Sequence, residues 1–206
     1  RPQANYWGAA ILLVSLGVYF WAAWWARMAY PQTLSLLGVI LGVAGVNWHA
    51  DILPVRVFDA FGLVNALDVA NGVIWAVDNG ADVCNISLQF YATVSPIGQA
   101  NLLALEAAVE YAAQQGVLVV AAAGNGHCSV TNGSCETDLD CQGAGSCLKD
   151  VSFPARFATT IAVSATDNLD FLGLFSNFGP EVDVSAPGQS IFSTWISAAP
   201  NNFRFL

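Results

Sequence analysis

The stretch Val117–Ala123 (V-L-V-V-A-A-A) is apolar at every position and is bracketed by Gly116 and Gly124. A strand of this kind has no polar face to give to water. It must lie in the middle of a sheet that is covered on both sides, and parallel sheets are where such strands occur. Its neighbours agree. Val83–Leu88 (V-C-N-I-S-L) reads as a second buried strand, and Leu102–Gln115 between the two reads as a helix ended by Gly116. Leu103, Ala107 and Tyr111 are expected on its inner face. Asn65–Asp78 reads as an earlier helix with Leu67, Ala70, Val73, Ile74 and Val77 on one stripe, closed by Asn79-Gly80. Ile52–Phe58, Thr160–Ala165 and Val182–Ser185 read as further strands, Pro54 favouring the start or edge of the first. Alternating strands and helices predict an α/β fold of three layers, a mostly parallel sheet with helices on both faces.

In such sheets ligands bind beyond the carboxyl ends of the strands. The loop after Leu88 and the loop Gly124-Asn125-Gly126 are therefore the places to look. Asn125 between two glycines reads locally as a turn residue. The same side chain, placed at the carboxyl edge of a sheet, is also an amide donor able to stabilise a developing oxyanion.

Charge and cysteine narrow the setting. From residue 51 onward the chain has four basic residues against 15 acids, a formal charge of −11. That argues against nucleic acid and an anionic membrane face as partners of this part. Cys128, Cys135, Cys141 and Cys147 cluster in a Gly-, Ser- and Asn-rich segment, with gaps of six, five and five residues. Zinc sites pair their ligands at C-x-x-C spacing, so two local disulfides and an oxidising compartment are expected, with the connectivity open and no metal assigned. Cys84 lies in an apolar run and is expected to stay a free thiol.

The N-terminal part is of another kind. Residues 1–42 hold only Arg1 and Arg27 as charges, and four of the seven Trp fall between Trp7 and Trp25. Residues 5–26 are long enough to span a bilayer, and they lack the pattern of a cleaved signal peptide. Two readings stay open: a membrane anchor, which would put residues 5–26 in contact with lipid, or sequence read out of frame. The domain organisation expected is residues 1–42 apart from residues 43–206, the latter carrying a Cys-rich insert at 127–149.

Five segments, in order, resemble the subtilisin-like serine proteases. They are G-V-A-G-V-N-W-H-A-D-I-L-P-V-R-V-F-D (42–59), G-V-I-W-A-V-D-N-G-A-D-V-C-N-I-S-L (72–88), G-V-L-V-V-A-A-A-G-N (116–125), F-P-A-R-F-A-T-T-I-A-V-S-A-T (153–166) and F-S-N-F-G-P-E-V-D-V-S-A-P-G (175–188). The resemblance implies an extracellular serine endopeptidase acting on polypeptides through an acyl-enzyme. It implies Asn125 as the oxyanion donor, Ser87 and Leu88 on the strand that pairs with substrate, and Ala122, Ala123 and Gly124 lining a pocket with room for a large apolar side chain. Gln89 stands where the family usually has Gly, and its side chain would narrow that pocket. No cofactor is required. The family often binds Ca²⁺ through loop oxygens, for which Glu136, Asp138 and Asp140 are the candidates.

The family's triad of Asp, His and Ser is missing from its expected places. W-A-A-W-W-A-R-M-A (21–29) occupies the place of the His helix, and the Ser helix would follow N-N-F-R-F-L (201–206). His49 and His127 align with neither, and both are expected to be structural or surface residues. A chain of this content is expected not to hydrolyse peptides. The alternative to a protease is a membrane-anchored module that binds peptides without cutting them. A nucleotide-binding α/β domain is weaker, because no G-x-G-x-x-G or Walker string follows a strand.

Overall fold

The computed structural model describes residues 50–92, 95–143, 145–194 and 203–205. The proposed anchor at 5–26, the rest of the segment 1–42 and His49 lie outside them. Among the described residues no helix is long and apolar enough to cross a membrane.

The chain forms helix α1 (Ala66–Asp78), strand β1 (Val83–Ile86), helix α2 (Pro96–Gln114) and strand β2 (Leu118–Ala122). A small hairpin of β3 (His127–Cys128) and β4 (Cys147–Leu148) encloses a single 3₁₀ turn at Asp138–Cys141. Strands β5 (Thr160–Thr166) and β6 (Val184–Pro187) complete a four-stranded parallel sheet of order β1-β2-β5-β6. β7 (Phe192–Thr194) and β8 (Phe203–Phe205) pair separately and antiparallel.

β2 is flanked on both sides, as its apolar composition requires. Val119, Ala121 and Ala123 face one core with Leu105, Val109 and Ala112 of α2 and Val69, Ala70 and Val73 of α1. Val120 and Ala122 face the other way, onto Val163, Ala165 and Ala186. Both described helices therefore pack on the same face of the sheet. Asn65 caps α1, its side chain accepting from the Asp68 N–H while Asp68 reaches back to it, a reciprocal capping box. Gly80 and Gly116 follow the two helices at φ +87° and +78° and turn the chain out of helical geometry.

The structure corrects several local expectations. Residues 52–58 form no strand. The Pro54 ring removes an N–H from any ladder, and the Arg56 side chain donates to the Phe58 carbonyl, so backbone pairing there is interrupted from within. The segment instead runs over α1, where Gly72 lets it close in: a Cβ at Gly72 would lie 2.7 Å from Val57 Cγ1. The inner stripe of α1 is Ala66, Val69, Ala70, Val73 and Ala76, while Leu67 and Ile74 face outward. In α2 the buried residues are Leu105, Ala108, Val109 and Ala112, with Leu103 and Ala107 outside. Tyr111 is at the surface, donating to Asp78 at 2.7 Å. α2 also begins at Pro96, whose fixed φ suits the first helical position. β6 starts two residues later than expected because Val182 closes a turn on Gly179, and Asp183 then binds Ala162 through its backbone and side chain.

Candidate functional site

The site is built where β1 and β2 end. Past β2 the chain continues extended, and Ala123 N–H still donates to Val163 O at 2.8 Å. The next residues leave the parallel ladder and pair with 175–177. Asn177 N–H donates to Gly124 O and Gly126 N–H to Phe175 O, each at 2.8 Å, with Asn125 opposite Ser176. These bonds hold the backbone on either side of Asn125.

Asn125 is gripped again by the loop after β1. Its N–H donates to Gln89 Oε1 at 2.5 Å, and its carbonyl accepts from the Tyr91 hydroxyl at 2.7 Å. Its own carboxamide makes no hydrogen bond among the described residues and is part-exposed. A rigid backbone carrying a free amide donor is what oxyanion stabilisation asks for, because a preorganised donor needs no rearrangement as charge develops.

Beside it is a hollow of about 190 Å³. Ser87, Leu88 and Gln89 form one wall, Ala122, Gly124 and Asn125 the next, and Val163, Ala165, Phe175 and Ser176 the far side. Six of the expected site residues are thus brought to the pocket with Asn125 among them. Ala123 lies behind, its side chain in the core and its carbonyl accepting from Ser152 N–H, Ser152 Oγ and Asn177 Nδ2 at 2.9, 3.0 and 3.3 Å. Gly124, at φ +100°, is walled in by the same groups: a Cβ there would sit 2.4 Å from Ser152 Oγ. The hollow falls below the roughly 300 Å³ at which small-molecule sites begin, so it fits one side chain of a longer ligand.

Among the described residues β1 stands at the edge of its sheet, and the backbone of Leu88 and Gln89 beyond it makes no hydrogen bond. An extended chain can dock there by adding a strand.

Behind Asn125 the Tyr91 ring stacks on His127, with centroids 3.6 Å apart and planes at 29°. Burial pushes the Tyr91 hydroxyl up to about 12, with the Asn177 side chain drawing it the other way. His127 is 8% exposed, and its Nδ1 has no hydrogen-bond partner among the described residues. Burial lowers its pKa, and the charge of Asp150 opposes that. Enclosed and stacked on Tyr91, His127 is not among the residues that line the hollow.

The Cys-rich insert closes two disulfides, Cys128–Cys141 and Cys135–Cys147, and Cys84 is buried and free. The insert is anchored on the Asn125 loop: Cys135 N–H donates to Gly126 O at 3.0 Å, and a Cβ at Gly126 would meet Cys135 O at 2.4 Å. The Ca²⁺ candidates do not form a ligand set. Asp140 accepts from the N–H groups of Glu136 and Thr137, Asp138 accepts from Cys147 N–H, and among the described residues no three carboxylates converge.

Sequence reasoning missed Tyr91, Ser152, Asn177 and the far wall at Val163, Ala165, Phe175 and Ser176. Ser176 and Asn177 lie inside the segment 175–188, which the sequence marks only as part of the family resemblance, and Tyr91 and Ser152 lie outside the five segments.

Comparison with known proteins matches residues 28–204 to the family model described as the subtilase family. The chain is 37% identical over 163 residues to the alkaline protease of Alkalihalobacillus alcalophilus, covering 79% of this chain and 36% of that protein. It is 37% identical over 163 residues to subtilisin Savinase of Lederbergia lenta, covering 79% of this chain and 50% of that protein. The chain thus spans between about a third and a half of the length of these relatives. Among solved structures it resembles a cold-adapted subtilisin-like serine proteinase, with a TM-score of 0.53 and 29% identity over 77% of this chain and 49% of the other. A lanthipeptide protease shares the fold, with a TM-score of 0.55 and 24% identity over 78% of this chain and 44% of the other.

Proposed function

Because the chain belongs to the subtilase family, we propose that Ser87–Gln89 and Ala122–Asn125 are the peptide-binding side of a serine endopeptidase site. An extended polypeptide pairs with the free edge at Leu88 and Gln89, one of its side chains enters the hollow, and the carbonyl that follows meets the Asn125 amide. In the complete reaction a serine hydroxyl attacks that carbonyl, the peptide C–N bond breaks as the leaving amine takes up the hydroxyl's proton, and water then hydrolyses the acyl-enzyme to a carboxylic acid and free serine. Asn125 stabilises the oxyanion of each tetrahedral intermediate, worth about 3 kcal/mol in the subtilisin example from which that magnitude comes. No cofactor enters this chemistry. Two disulfides suit an oxidising, extracellular setting.

The observation that carries the proposal is an Asn125 carboxamide that, among the described residues, makes no hydrogen bond and sits at the end of a side-chain-sized hollow beside an unpaired strand edge. For the 206-residue chain itself we propose peptide binding without hydrolysis, since His127 is shut away behind Tyr91 and W-A-A-W-W-A-R-M-A stands in the family's His position.

Binding is tested by fluorescence anisotropy with a short labelled peptide and its backbone N-methylated counterpart. The expected result is saturable binding that N-methylation weakens at least about tenfold, the loss of one or two strand-type hydrogen bonds. Equal affinity for both peptides, or no binding of either, would overturn the groove. Hydrolysis of a fluorogenic peptide that disappears in Asn125→Ala would overturn the non-hydrolytic part.

A further inference from the structure

Resting on that peptide groove, we propose that the hollow selects a carboxamide side chain, Asn or Gln, over a large apolar one. The reason is the orientation of Gln89. Its amide faces the Asn125 N–H, and only an oxygen can accept from that donor, so the Oε1 assignment is fixed by chemistry. The Nε2 group is therefore turned away from Asn125, and it has no partner among the described residues. Ser87 adds a second donor. Its Oγ accepts from Asn85 Nδ2 at 3.0 Å, which leaves its hydrogen to give.

The remaining surface is apolar, from Ala122, Val163, Ala165 and Phe175. A large apolar side chain would close over Nε2 and strip it of water without replacing the bond. A carboxylate would gain the donors but meets no cationic residue in the lining, in a part of the chain that is strongly acidic. A carboxamide supplies the acceptor, carries no charge and suits a space of about 190 Å³. Leaving a buried donor unpaired discriminates between ligands by about ten- to a hundredfold.

The experiment measures Kd for one labelled peptide series that differs only at the residue entering the hollow, with Gln, Asn, Leu, Phe and Glu in turn. Wild-type chain is expected to bind Gln and Asn at least about tenfold more tightly than Phe or Glu. Gln89→Leu keeps the bulk and removes both polar atoms, so the carboxamide preference should fall to the part that the Ser87 hydroxyl supports. Gln89→Gly opens the hollow and should make Phe the tightest. Each variant is first checked for native circular dichroism. Phe binding tightest to wild type, or an unchanged order in both variants, would overturn the selection while leaving the groove intact. Absence of binding across the whole series would overturn the groove itself.

Discussion

Gly124→Ala concentrates the physics of the site in one methyl group. The residue sits at φ +100°, where an L side chain is strained by about 1–2 kcal/mol. The added Cβ would also lie 2.4 Å from Ser152 Oγ, 2.8 Å from Asn177 Nδ2 and 3.0 Å from Gln89 Oε1. Ser152 and Asn177 are buried and tied to the Ala123 carbonyl, so neither swings away freely. Overpacking of this kind costs about 1–3 kcal/mol. Together the two effects predict a loss of about 2–5 kcal/mol, a large share of the roughly 5–15 kcal/mol by which a domain is stable. Guanidinium unfolding followed by tryptophan fluorescence measures it, with the m-value held constant between variants. A double-mutant cycle with Ser152→Ala separates the two contributions. Removing Oγ relieves the tightest contact and leaves the backbone strain, so the pair should be less destabilised than the sum of the singles by about 1–2 kcal/mol. Destabilisation by Gly124→Ala below about 0.5 kcal/mol, or strict additivity in the cycle, would refute the description of this wall.

Three further outcomes are expected. His127 is neutral and buried with its pKa lowered, so the unfolded chain takes up this proton first; stability should fall as pH drops below about 6.5. His127→Phe, which preserves the stack on Tyr91, should flatten that part of a stability-against-pH curve, and an unchanged curve would rule the histidine out. Ellman titration of denatured, unreduced protein from an oxidising compartment should find about one thiol, Cys84, and five would contradict both bridges. Native protein should react more slowly than denatured, since burial covers Cys84 and raises its pKa.

What was legible in the sequence follows a physical division. β2 could be placed because seven apolar residues in a row admit one environment, and Gly80 and Gly116 marked helix ends because few residues adopt positive φ. The stripes on α1 and α2 were displaced because both helices carry apolar residues on more than one side. Leu67, Ile74 and Leu103 compete for a face that only tertiary packing awards. Residues 52–58 show that apolar alternation reports side chains and not whether a neighbouring backbone is there to pair. At the site, Asn125 and the wall at 87–89 were readable because each lies within one short segment. The opposite wall was not, since Val163, Ala165 and Phe175 reach the hollow through register with β2 and through the antiparallel return at 175–177. The cysteines announced bridges, but loops of similar length close with similar entropy, so spacing does not choose among pairings.

The two bridges overlap along the chain: Cys128 joins Cys141 across Cys135, and Cys135 joins Cys147 across Cys141. Any single cut between residues 128 and 147 then falls inside at least one covalent ring. A protease that nicks the exposed tip at Leu139, or the turn around Val130, leaves both halves fastened together. The segment pressed against Gly126 and Asn125 is thus held together through a cut, a useful property for a loop bordering the proposed peptide groove. Nicked chain should run as one species unreduced and as two once the bridges are opened.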